Sequence, residues 1–80
     1  MAKRVAILGS TGSIGTNTLD VVQSLGPGFQ VTGLSAARRW RELARQCKEI
    51  HPTAAVLADP AHAAEIQPLI PRCTELLIGP

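Results

Sequence analysis

The chain has no tyrosine, one tryptophan and one phenylalanine. Any core it builds must therefore be aliphatic. Cysteine is scarce as well: Cys47 and Cys73 stand far apart and in no metal-ligand spacing, which excludes a zinc-finger type of site. Cys47 falls on the apolar stripe of a predicted helix and reads as a buried free thiol. No apolar run approaches the roughly 20 residues needed to span a bilayer. After Met1-Ala2-Lys3-Arg4 only Val5-Ala6-Ile7-Leu8 precedes a glycine, too short for the apolar core of a secretion signal. Charge of one sign is lacking too. A net charge of +2 marks neither a nucleic-acid nor a membrane partner. The expectation is a cytoplasmic protein.

What is present suffices for order. Forty-five per cent of the 80 residues are hydrophobic, enough for one small domain or part of a larger one, and too many for a disordered tail. Val5-Ala6-Ile7-Leu8 reads as a strand buried on both faces, as in a parallel sheet. Ile14, Thr18, Val21, Val22 and Leu25 then recur at helical spacing until Gly26-Pro27-Gly28 stops the helix. Phe29 to Ser35 reads as a second strand. Trp40, Leu43, Ala44, Cys47 and Ile50 form the apolar stripe of an amphipathic helix, with Arg41, Glu42, Arg45, Lys48 and Glu49 opposite, ended by His51-Pro52. Thr53 to Ala58 reads as a third strand. Asp59 is placed to cap a short helix from Ala61 to Ile70 with Pro60 at its first position, and Pro68 weakens that helix. Glu75 to Ile78 reads as a fourth strand. The order βαβαβαβ predicts an α/β fold, a partial Rossmann-like doubly wound parallel sheet with right-handed crossovers.

Gly9-Ser10-Thr11-Gly12-Ser13-Ile14-Gly15 sits between the first strand and the first helix. That is the context a dinucleotide-binding turn requires. The first glycine allows the tight turn, the middle one lets backbone approach a pyrophosphate, and the last packs helix on strand. Backbone N–H groups at the helix start would face the anion, with Ser10, Thr11 and Ser13 as additional hydroxyl donors. The spacing G-x-x-G-x-x-G is longer than the usual fingerprint, and no Gly-Lys-Ser/Thr follows to make the phosphate loop of nucleoside triphosphatases.

The adenine-side ribose is read at the end of the second strand. An Asp or Glu there would take the 2′-hydroxyl of NAD. This chain has Ser35-Ala36-Ala37-Arg38-Arg39 instead. Arg38 and Arg39 suit a 2′-phosphate through charge-assisted, fork-shaped hydrogen bonds. Two cations at a helix start oppose its dipole, so they need a reason other than helix stability. The expected cofactor is NADPH. Arg41 and Arg45 read as a solvated helix face, His51 as a loop residue and His62 as a surface residue.

The run Leu8-Gly9-Ser10-Thr11-Gly12-Ser13-Ile14-Gly15 with Thr18-Leu19-Asp20-Val21-Val22 after it resembles the opening of the 1-deoxy-D-xylulose 5-phosphate reductoisomerase family. Gln46-Cys47, His51-Pro52 and Thr74-Glu75 agree with that resemblance. It implies an enzyme that rearranges deoxyxylulose phosphate, a small phosphosugar, and reduces the product with NADPH to methylerythritol phosphate in isoprenoid-precursor synthesis. It further implies pyrophosphate contacts at Thr11, Gly12, Ser13 and Ile14, and 2′-phosphate contacts at Ala37, Arg38 and Arg39. A homodimer is implied for the full-length protein. A divalent metal, Mg or Mn, is implied with ligands outside this chain. Residues 1–80 would then be the N-terminal part of the NADP-binding domain, with no catalytic or metal-binding residue among them. The chain departs from the family where members often carry Gly-Lys-Asn. Here Ala37-Arg38-Arg39 keeps the basic character but gives up the glycine's freedom at positive φ. Two other readings stay open on the residues alone: a different NADP-dependent oxidoreductase, of the aspartate-semialdehyde dehydrogenase kind, and a non-catalytic nucleotide-binding module.

Overall fold

Parallel strands cannot be joined by tight turns, so each apolar run must be separated from the next by a crossover long enough to hold a helix. The computed structural model, which describes residues 3–79, has that alternation. β1 (Lys3–Ile7) leads to α1 (Ser13–Ser24), β2 (Phe29–Ala36) to α2 (Trp40–Ile50), and β3 (Ala54–Leu57) through α3 (Ala63–Ile66) to β4 (Glu75–Ile78). The four strands form one parallel sheet in the order β1-β2-β3-β4. Each crossover steps the same way, so right-handedness places the helices on one face. These residues thus make one wing of a doubly wound sheet.

The register carries one irregularity. Val5 pairs with Val31 but Ala6 pairs with Gly33, leaving Thr32 as an extra residue in β2. This bulge turns both Val31 and Leu34 toward the helices, where both are buried. Gly33 is needed beside it, since a Cβ there would lie 3.2 Å from the Ala6 Cβ. The core is aliphatic: Ile7, Leu19, Val22, Val31, Leu34, Leu43, Leu57 and Ile66, with Cys47 among them as a fully buried thiol.

Three expectations are corrected. Leu8 is outside β1 and 84% exposed, and within β1 only Ile7 is buried. The reason is that β1 pairs only with β2 among the described residues and has helices on one face alone. The stripe of α1 that meets the sheet is Gly15, Leu19 and Val22. Ile14, Val21 and Leu25, expected to pack, are 83%, 58% and 54% exposed. Finally, the helix expected from Ala61 to Ile70 is a single α turn between two 3-10 turns, Pro60–His62 and Gln67–Leu69; Pro68, which has no N–H to donate, ends the α-helical ladder. The Asp59 cap is present, its Oδ1 accepting from the Ala61 N–H at 2.9 Å.

Candidate functional site

The turn after β1 is set by its three glycines in different ways. Gly9 has φ +67°, a left-handed conformation that glycine adopts freely. Gly15 leaves no room for a side chain: a Cβ there would stand 2.0 Å from the Gly9 carbonyl oxygen. Gly12 differs from both. Its φ is −79°, and a Cβ would meet nothing closer than the Gly9 oxygen at 3.5 Å, an ordinary contact. Nothing inside the fold requires glycine at 12. The missing side chain leaves the space over the loop open to a group approaching from outside.

Gly12 is also the residue before α1, and no side chain caps that helix. The first turn carries no acidic residue. Its backbone N–H groups are left for solvent or an anion, and the helix dipole favours negative charge there. Ser13 and Ile14 are both exposed at this end. Between the loop, α1 and the free edge of β1 runs a groove of about 530 Å³, which includes Gly9, Gly12, Ser13, Ile14 and Gly15 in its lining.

Two of the expected hydroxyl donors are placed otherwise. Ser10 is fully buried, and its Oγ donates to the Gln46 Oε1 at 2.7 Å, so it faces away from any phosphate. Thr11 is 94% buried by its surroundings, being only 6% exposed. Its carbonyl oxygen accepts from the Arg39 Nη1 at 3.3 Å. Ser13 keeps an exposed hydroxyl at the helix start.

The second basic element lies where β2 ends. Ala37, Arg38 and Arg39 are all exposed and lead into α2, with Arg39 as the residue before its first turn. Among the described non-glycine residues only His51 has positive φ, so the backbone at Ala37 does not call for glycine's freedom. The Ala37 carbonyl is held by the Asp59 N–H at 2.9 Å, which ties this corner to the end of β3. Among the described residues no carboxylate pairs with Arg38 or Arg39; the Glu65 Oε2 lies instead 3.5 Å from the His62 Nδ1. Arg38, Arg39, Trp40, Arg41, Glu42 and His62 line a cavity of about 370 Å³. Trp40 stacks on His62 with ring centroids 5.3 Å apart, and the Arg41 guanidinium lies 5.1 Å from the Trp40 ring. The structure therefore brings the two expected clusters together, with Arg39 reaching back to Thr11 across the gap.

Sequence reasoning missed Ser35 and Gln46 as parts of this site. The Ser35 Oγ accepts from the Gly9 N–H at 2.9 Å, and the Ser35 carbonyl accepts from the Ser10 N–H at 2.8 Å. Gln46 is 6% exposed and bonds Ser10 twice. The available signal was a glutamine next to Cys47 on the apolar side of α2. The other residues singled out earlier are structural. Thr74 donates to the Pro52 carbonyl at 2.6 Å and His51 ends α2, both at the opposite end of the sheet. Among the described residues no three His, Cys, Asp or Glu side chains come together as a metal site, and no helix is long and apolar enough to cross a membrane.

Comparison with known proteins agrees with this fold. The family described as 1-deoxy-D-xylulose 5-phosphate reductoisomerase matches residues 5–80. A 1-deoxy-D-xylulose 5-phosphate reductoisomerase of Trichlorobacter lovleyi is 47% identical over 77 residues, covering 96% of this chain and 18% of that relative. The solved reductoisomerase of Zymomonas mobilis in complex with NADPH superposes with a TM-score of 0.90 at 32% identity, covering 99% of this chain and 21% of that one. A DOX-P reductoisomerase solved in complex with magnesium gives 0.85 at 26% identity, covering 99% and 20%. The chain spans about a fifth of the length of these relatives.

Proposed function

The chain belongs to the 1-deoxy-D-xylulose 5-phosphate reductoisomerase family, and from that premise we propose that residues 1–80 are the N-terminal part of its NADP-binding domain. Thr11, Gly12, Ser13 and Ile14 receive the pyrophosphate of NADPH. Ala37, Arg38 and Arg39 receive the 2′-phosphate. The observation that carries this reading is Gly12: a glycine that neither backbone conformation nor packing demands, at the bare start of a helix. The cleared space suits a ligand backbone, and the two arginines, which pair with no carboxylate among the described residues, suit its additional phosphate.

The division of labour follows from charge and position. The first-turn N–H groups of α1 donate to pyrophosphate oxygens, and the exposed Ser13 hydroxyl adds a donor. Arg39 already touches the loop through the Thr11 carbonyl, so its guanidinium is held near both anions at once. Arg38 is exposed and meets the 2′-phosphate by charge. Bound NADPH supplies a hydride for a reduction. We assign this segment no contact with the reacting carbon and no metal ligand. The phosphosugar site, the divalent metal ligands and the catalytic residues belong to the rest of the protein. Assembly as a homodimer and a place in the cytoplasm, in isoprenoid-precursor synthesis, complete the proposal.

The reading that this is another NADP-dependent oxidoreductase gives way to the family match. The experiment is an assay of the complete protein with deoxyxylulose phosphate, NADPH and Mg²⁺ or Mn²⁺. Loss of reduced-nicotinamide absorbance that requires sugar phosphate and metal together supports the proposal. Turnover without either, or none with both, refutes it.

A further inference from the structure

Gln46 is a buried amide on a helix side otherwise made of Leu43, Ala44 and Cys47. A polar group so placed costs stability unless its hydrogen bonds are made. It makes them both with one residue. The Ser10 Oγ donates to the Gln46 Oε1 at 2.7 Å, and the Gln46 Nε2 donates to the Ser10 carbonyl at 2.8 Å. The same Ser10 is held from β2, its N–H donating to the Ser35 carbonyl at 2.8 Å and its Oγ lying 3.2 Å from that oxygen. The serine's side chain and backbone are thus turned inward. The residues that follow the buried Thr11, from Gly12 to Ile14, are the ones the loop leaves toward solvent.

A second grip comes from the residue before α2. Arg39 holds the Thr11 carbonyl and Gln46, within α2, holds Ser10. The helix and the residue that leads into it therefore hold two consecutive residues of the glycine loop, with the basic cluster at the helix start.

We propose that Gln46 is a positioning residue for the dinucleotide: it locks the glycine loop onto α2 through Ser10 and so fixes the loop in the conformation that takes the pyrophosphate. This rests on the reading of the loop as the pyrophosphate cradle. Gln46 touches no ligand atom and acts only through Ser10. Because every nicotinamide dinucleotide carries the pyrophosphate, the clamp serves NADPH and NADH alike, whereas Arg38 and Arg39 serve only the 2′-phosphate.

The test uses the complete enzyme and measures NADPH and NADH separately. Gln46→Met keeps the volume and loses both bonds. It is expected to raise the dissociation constant, and the KM, about tenfold for both cofactors, with the sugar-phosphate KM unchanged and kcat at saturating cofactor within about twofold. Ser10→Ala keeps the bond to the carbonyl and loses the other. It is expected to weaken both cofactors about threefold, and the double variant to be no worse than Gln46→Met alone, because the two residues form one device. A merely structural glutamine would lower Tm and the active fraction but leave cofactor affinity where it was. Affinities within twofold of the unsubstituted enzyme in a folded Gln46→Met variant, or a loss confined to NADPH, would overturn the proposal. Should Gln46→Met not fold, Ser10→Ala decides alone, and unchanged affinities there overturn it equally. If the unsubstituted enzyme itself shows no NADPH-dependent turnover, it is the functional reading that fails, not the clamp.

Discussion

Gly12 and Gly15 look alike in the sequence and do opposite things. A methyl group at Gly15 would stand 2.0 Å from the Gly9 oxygen and 2.8 Å from the Ser10 Cα, so the strand and helix would have to part. Gly15→Ala is expected to cost about 3 kcal/mol or more of stability, at the upper end of overpacking effects. Gly12→Ala meets no clash in the protein and loses only a modest capping preference, so its cost is expected to stay within about 1 kcal/mol. Its affinity for NADPH is nonetheless expected to fall at least tenfold, because the methyl enters the space proposed for the pyrophosphate. Denaturant unfolding and NADPH titration of the two variants in the complete enzyme check both statements. Cys47 gives a further expectation at this scale. Burial, with the Cys73 thiol nearby as a lesser cause, pushes its pKa up from 9.0 to about 11. The folded state thus resists losing this proton while the unfolded chain gives it up from pH 9. Stability is unaffected by this group below pH 9 and falls progressively between pH 9 and 11. Denaturant midpoints across that range should slope downward, and the slope should shrink in Cys47→Ala.

At the scale of elements, the sequence was legible wherever a period met a punctuation mark. The stripe Leu43, Ala44, Cys47 ended by His51-Pro52 specified α2 completely, and Trp40–Ile50 is where it lies. Asp59-Pro60 marked the cap of the turn after β3 for the same reason. Where two patterns overlapped, the reading went astray. α1 has apolar residues on two sides, Leu19 and Val22 on one and Ile14, Val21 and Leu25 on the other, and nothing local says which meets the sheet. The bulge at Thr32 was equally hidden, since it depends on how β2 pairs with β1 rather than on β2 alone. The candidate site shows the same division. The glycines, the arginines and their order announced the loop and the basic corner. The inward turn of Ser10 did not show, because its partner Gln46 is 36 residues away in sequence. A hydroxyl in a glycine-rich loop reads as a ligand donor until the helix that claims it is in place.

The described residues form one layer of helices on one sheet. Among them nothing covers the other sheet face: Arg4, Gln30, Thr32, Thr53 and Ala54 line an open depression of about 440 Å³ on it, and Leu77 is 48% exposed. The same residues leave the edge of β1 and the second side of α1 uncovered. A parallel sheet normally has both faces covered, and free strand edges recruit other chains. Residues 1–80 expressed alone are therefore expected to be marginally stable, prone to associate, and to bind NADPH with a dissociation constant above the micromolar range. Size-exclusion chromatography and NADPH titration of the isolated segment check this. A monomer with sub-micromolar affinity would mean that the segment holds the cofactor unaided.

The central claim is that this segment reads the 2′-phosphate of NADPH with Arg38 and Arg39. It is tested most directly by replacing both with alanine in the complete enzyme and measuring the affinities for NADPH and NADH side by side. The account predicts a loss on the order of 2–5 kcal/mol for NADPH and little change for NADH, since only the former carries the phosphate those charges meet. Equal losses for the two cofactors, or none for either, would contradict it.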